Sequence, residues 1–249
     1  MEFQKAYEAH ELEYRRMKSQ GIESWSQRNE PWAIDPHNEH FLIDAFAQSW
    51  VPNEGRALEL GCGTGPLARW LARKGFSTTG IDISSTAIEM AIAQSTEFDC
   101  QFLVDDICSL DASRFKKFDL CLDGHLLHCI TKPEDRKAAL ENIRKLLNPG
   151  GVYIQMSMCS PIDSEIFTSK FENQKVVEDV VYMPTGNSAN CDEIQTFEGG
   201  NYLPTRYLGH WHTLLDELRT AGFLSKLIRF NHCGGEDPVS SLNVAAQLS

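Results

Sequence analysis

The run Glu59-Leu60-Gly61-Cys62-Gly63-Thr64-Gly65 places three glycines at alternate positions behind an acid. Residues without a Cβ let the backbone approach a ligand closely, and the free N–H groups of a following helix suit polar or anionic atoms. A purely structural turn shares the pattern, so the turn does not decide its own purpose. Asp82 adds weight: it ends the next apolar run, seventeen residues after Gly65. In a doubly wound sheet that spacing sets its carboxylate beside the turn, where it accepts hydrogen bonds from ribose hydroxyls. The competing reading of Asp82 is a helix-capping acid.

Two histidines follow the acid Asp123 in the run Asp123-Gly124-His125-Leu126-Leu127-His128. Either His125 or His128 fits a general base that takes a proton from an attacking nitrogen or oxygen. Packing beneath a ligand is the alternative for both. His210-Trp211-His212 and His232-Cys233 invite a metal reading, but an i, i+2 pair on a helix points in different directions and chelates poorly. The eight cysteines include no Cys-x-x-Cys pair and several fall in apolar runs, so they read as reduced, hydrophobe-like thiols.

The elements that must position these groups alternate. Apolar runs at 57–60, 77–83, 101–104, 118–122, 152–157, 224–230 and 242–248 read as strands. Between them, helical spacing appears after Pro66, after Thr86 and from 131 to 147, and again over 210–221. Thr86/Glu89 and Thr131/Glu134 have capping-box spacing. Such alternation implies a mostly parallel sheet covered on both faces, and the last run alternates as an antiparallel hairpin member would. Residues 2–20 read as a charged helix, and 38–49 as a second one. The region 158–206 breaks the rhythm and offers one hairpin, Val176–Met183. A loop that long is more often functional than idle.

The 249 residues suit one α/β domain; 42 % are apolar and 23 % charged. A formal net charge of −12 with no basic block disfavours a nucleic-acid partner. The charged N-terminus lacks a signal-peptide core and no apolar run reaches a membrane span, so a soluble, cytoplasmic location is expected.

The spacing GxGxG behind Glu59 differs from the GxGxxG of dinucleotide enzymes. It resembles the first motif of the class I S-adenosylmethionine-dependent methyltransferases, ExGxGxG, and the likeness runs over about 56–157. The resemblance implies a doubly wound, mostly parallel seven-stranded sheet, Rossmann-like, with an antiparallel last strand. It implies S-adenosylmethionine as cofactor and S-adenosylhomocysteine as product. Glu59, Gly61, Cys62, Gly63 and Gly65 would surround the methionine part and sulfonium. Asp82 would bind the ribose and Ile83 the adenine. Asp106, rather than Asp105, would meet the adenine amine, with a backbone contact from Ile107. Asp123 would meet the cofactor amino group or a cationic substrate, unless it caps the turn that follows.

The whole chain, 1–249, is then one methyltransferase domain. Residues 1–50 form a helical, aromatic cap carrying Trp25 and Trp32, and 158–206 a substrate lid; Trp32 is the expected substrate wall. The expected acceptor is a small molecule, through N, O or S, with no nucleic-acid or membrane partner. A protein side chain as acceptor, a non-catalytic cofactor-binding partner subunit and a nicotinamide-dependent oxidoreductase are the rival readings.

Overall fold

The computed structural model describes residues 2–25, 30–160, 173–185, 190–232 and 239–248. Its main sheet has seven strands: β2 (Gly55–Leu60), β3 (Phe76–Asp82), β4 (Cys100–Val104), β5 (Phe118–Gly124), β6 (Leu147–Cys159), β12 (Phe223–Asn231) and β13 (Ser240–Leu248). They lie in the order β12-β13-β6-β5-β2-β3-β4. Strands β2 to β6 pair in parallel, whereas β13 runs antiparallel to both β6 and β12. The expected doubly wound, seven-stranded architecture is present, including its antiparallel last strand.

Helices cover both faces because the strand side chains alternate between them. Leu58, Leu60, Ile81 and Tyr153 pack with Ile143 of α5 (Pro133–Leu146) and Leu214 of α6 (Trp211–Thr220). Ala57, Leu120, Leu122 and Ile154 pack on the other face with Phe41 of α2 (Pro36–Phe46) and Leu71 of α3 (Pro66–Arg73). Among the described residues no helix is long and apolar enough to cross a membrane.

Several local expectations are corrected. The 2–20 segment is not one helix: β1 (Glu2–Phe3) and a 3-10 turn (Ala6–Ala9) precede α1 (His10–Ser19). Phe3 is drawn out of any helix by tertiary pairing, since β1 lies parallel to β9 (Asn190–Cys191) and Phe3 is buried with Cys191 and Leu203. Helix α4 (Ser85–Ala93) is capped by Ser84, whose Oγ accepts from Ala87 N at 3.0 Å, and not by Thr86. Helix α5 has no side-chain cap; Pro133 at its first position already removes one N–H that would need a partner.

The described residues beyond β6 hold more strand than their composition suggests. β7 (Lys175–Val177) and β8 (Val180–Pro184) form the expected hairpin around Glu178 and Asp179, both left-handed (φ 49° and 64°), as a type I′ turn requires. β10 (Gln195–Phe197) and β11 (Gly200–Tyr207) complete a four-stranded sheet in the order β10-β11-β8-β7. That second sheet was not expected from the sequence.

Candidate active site

The parallel register brings the chemistry to one edge. Leu60 sits between Ile81 and Asp123, and Asp82 beside Val104, so the loops after β2, β3, β4 and β5 leave the sheet together. The chain order reverses at β2, which has β3 on one side and β5 on the other; ligands of open α/β sheets bind at such a switch point. A cavity of about 560 Å³ opens there.

Glu59, Gly61, Cys62, Gly63, Asp82, Ile83, Asp106 and Ile107 all line this cavity. Gly61, Gly63 and Gly65 all have left-handed backbone (φ 61°, 53° and 81°). A Cβ on Gly61 would lie 2.8 Å from Leu126 Cδ1, and one on Gly63 2.5 Å from Tyr14 Oη. Gly65 does not line the cavity; it precedes α3 and packs against Phe102, where a Cβ would lie 2.9 Å from the ring. Buried Arg69 braces the turn by donating to Thr64 O at 2.7 Å.

The acids differ in how far their oxygens are spent. Asp82 accepts from Gly63 N at 2.8 Å through Oδ2 and from Ser84 N at 2.9 Å through Oδ1, leaving each oxygen one lone pair. Burial pushes its pKa up, against these two hydrogen bonds. Asp106 accepts from Cys108 N, Tyr7 Oη and Ser109 Oγ at 2.9–3.1 Å. Asp105 takes the N–H of Asp106 and pairs with Arg114 at 3.4 Å. Glu59 is only 3 % exposed and its Oε2 has no hydrogen-bond partner among the described residues. Burial raises its pKa to about 8, and the Ala68 N–H and Arg69 charge only partly offset this.

Asp123 is corrected to its rival reading. It does not line the cavity, and it accepts from Leu126 N at 2.5 Å, Leu127 N at 3.0 Å and Tyr153 Oη at 3.2 Å. The carboxylate therefore caps the turn after β5; burial lifts its pKa to about 6. Trp32 is corrected as well. Its ring lies under the Arg73 guanidinium (3.9 Å) and against Phe98, away from the cavity. Trp25 lines the cavity instead, donating from Nε1 to Tyr14 Oη at 3.0 Å.

His125 and His128 both line the cavity, with ring centroids 5.5 Å apart. His125 is left-handed (φ 83°), a strained conformation for a residue with a Cβ. Asn38 Nδ2 donates to its Nε2 at 2.8 Å, while its Nδ1 is buried without a partner among the described residues. His128 accepts weakly from Met158 N at 3.4 Å through Nδ1. Burial lowers both pKa values, so both rings are neutral near pH 7.

Among the cavity residues that escaped the sequence reading are Tyr7, His10, Tyr14 and Arg206. The first three recur at 3–4 spacing along one face of the N-terminal segment, a stripe that was available as a signal. Arg206 had only Pro204 to announce it, a proline inside an apolar strand. His210, which the metal reading considered, instead accepts from His212 N at the start of α6 (3.3 Å). Cys233 lies outside the described residues.

Sheet order and site geometry define a protein of the doubly wound α/β class with its cavity at the switch point of the sheet. Residues 57–151 match the family model described as a methyltransferase domain. The chain is similar to the probable thiol methyltransferase 2 of Arabidopsis thaliana, 29 % identical with 67 % of this chain and 72 % of that protein covered. It is 33 % identical to the ubiquinone biosynthesis O-methyltransferase of Alkalilimnicola ehrlichii, over 44 % of each chain. Its fold matches the Burkholderia thailandensis 1,6-didemethyltoxoflavin-N1-methyltransferase with a TM-score of 0.62 at 16 % identity, covering 97 % of this chain and 88 % of that one. The matched segment is thus similar to a methyltransferase domain, and it spans the glycine turn, Asp82 and Asp106.

Proposed function

We propose that this enzyme transfers the methyl group of S-adenosylmethionine to a small molecule held between the main sheet and the N-terminal and β7–β11 segments. The observation that carries the reading is the glycine turn, Asp82 and an unspent Glu59 oxygen on one cavity. A buried carboxyl oxygen without a donor is costly, and a cationic amine or sulfonium nearby would relieve it. The free lone pairs of Asp82 suit ribose hydroxyls, Ile83 the adenine face, and Asp106 with Ile107 the adenine edge. Gly61, Cys62 and Gly63 fit the methionine part.

When bound, the cofactor supplies an activated methyl group with its own leaving group, so the protein mainly has to position and desolvate. His125 is better placed than His128 to act on the acceptor. With Asn38 donating to Nε2, its ring proton sits on Nδ1 and can donate to a bound heteroatom; with the Asn38 amide turned so that its Oδ1 accepts from Nε2–H, Nδ1 would take a proton there. The whole chain acts as one domain, with residues 1–50 as cap and 158–206 as lid, and Tyr7, His10, Tyr14 and Trp25 as the cap's contribution.

Calorimetric titration with S-adenosylmethionine and then S-adenosylhomocysteine tests the reading. Micromolar binding of both, followed by labelled-methyl transfer to members of an acceptor panel, is expected. Binding of neither would sink it.

A further inference from the structure

Arg206 is the only lysine or arginine among the described residues lining the cavity, where five carboxylates also stand. It makes no ion pair with any described residue. Its Nη1 donates to Thr205 O at 2.7 Å and lies 3.5 Å from His10 Nε2. His10 Nδ1 meets Tyr7 O at 2.9 Å, so the ring proton is on Nδ1 and Nε2 is an acceptor towards the guanidinium. One edge of Arg206 is thereby fixed. Nε and Nη2, the edge that fits a carboxylate side-on, donate to no described residue.

The backbone is shaped to present this side chain. Pro204 faces Tyr182 but Arg206 faces Val181, so two steps on β11 match one on β8. This bulge turns Arg206 to the opposite face from Pro204; bulges re-aim side chains in this way. Strand β11 also packs against the 3-10 turn Leu127–Cys129 in the loop after β5, and the Arg206 charge is felt at His125, His128 and Cys129 there. Arg206 therefore stands in the cavity beside the loop after β5, which carries His125 and His128.

We propose that Arg206 is the specificity residue for the methyl acceptor, and that the acceptor carries a carboxylate clamped by its Nε and Nη2. This rests on the methyl-transfer reading above. One guanidinium with no second cation among the described lining residues matches a singly charged carboxylate better than a phosphate.

The test titrates acetate, benzoate and phenylacetate, each against its amide, into protein saturated with S-adenosylhomocysteine. Wild type should prefer at least one acid over its amide by about ten- to a hundredfold, the range of a charge-assisted pair. Arg206→Met should abolish the preference, and Arg206→Lys, which keeps charge but loses the fork, should retain only part of it. Equal binding of acids and amides, or no binding of any acid, overturns the proposal. So does a tenfold or greater loss of S-adenosylhomocysteine affinity in Arg206→Met with 5′-methylthioadenosine unaffected, since Arg206 would then hold the cofactor's own carboxylate. Failure of wild type to bind S-adenosylhomocysteine would instead remove the methyl-transfer reading beneath it.

Discussion

Glu11 accepts a hydrogen bond from Ser84 Oγ at 2.6 Å, tying the N-terminal helix to the cap of α4 two residues beyond Asp82. The same carboxylate takes Thr86 Oγ1 at 2.7 Å and Thr86 N at 3.2 Å. Burial opposes its charge, but these bonds and Arg15 outweigh that and hold its pKa down to about 2. Glu11→Ala should cost about 1.5–3 kcal/mol, the range for hydrogen bonds to a charged group. Limited proteolysis should then cut α1 faster than in wild type, and cofactor affinity should fall. Unchanged cleavage would show that α1 is held by other contacts.

The Gly63 turn makes a sharper case. Gly63→Ala meets both a left-handed φ of 53° and the Tyr14 hydroxyl 2.5 Å from the new Cβ. Strained non-glycine backbone costs about 1–3 kcal/mol before the clash is counted. Tyr14→Phe in the same chain should recover part of the lost melting temperature, because only the clash is removed. No recovery would place the whole penalty on the backbone.

The Glu59 carboxyl gives a pH signature. Its pKa is about 8 in the folded protein against 4.5 ordinarily, so the folded state binds the extra proton between those values. Stability is therefore greatest below pH 4.5 as far as this group is concerned and is lost as pH rises to about 8. Glu59→Gln should remove that slope, and the variant should gain on wild type in melting temperature from pH 5 to pH 8. Asp123, raised to about 6, adds its own slope to both proteins and cancels in the comparison. Parallel curves would mean that Glu59 is ionised in the empty site.

His125 can be separated from its fold role by keeping its backbone tolerable. Asparagine adopts left-handed conformations more readily than most residues. His125→Asn should lower turnover by about 10²–10⁴, as loss of general acid–base help does, with cofactor affinity nearly unchanged. Wild-type turnover would assign the ring to packing.

Arg136 tests the scaffold. It is 1 % exposed, pairs with Glu217 and donates to Leu127 O at 2.5 Å. Arg136→Ala strands a half-buried carboxylate and an inner carbonyl, so about 3–5 kcal/mol of stability should go. Arg219→Ala, which breaks an exposed pair with Asp216, should cost about 0–1 kcal/mol in the same denaturant titrations.

What could be read in advance follows the distance over which each feature is specified. The glycine turn, Asp82 and Asp106 were legible because strand, turn and helix signals surround them within a few residues. Asp123 looked equally well placed, yet the N–H groups of Leu126 and Leu127 were nearer than any ligand and took both oxygens. Of the two tryptophans, the sequence had no means to tell that Arg73 stacks on Trp32 while Trp25, though exposed, reaches Tyr14 at the cavity. Arg206 depends on a bulge and a sheet made by residues far apart in the chain, which no local pattern encodes.

The N-terminal segment touches both covers of the cavity. Glu11 is fastened to α4, while β1 pairs with β9 and His10 meets Arg206 of β11. Cofactor exchange and acceptor entry are thus not two independent doors. Displacing α1 would shift the Glu11–Ser84 tie at α4 and the His10–Arg206 contact at β11 together, so the two sides of the cavity are mechanically coupled.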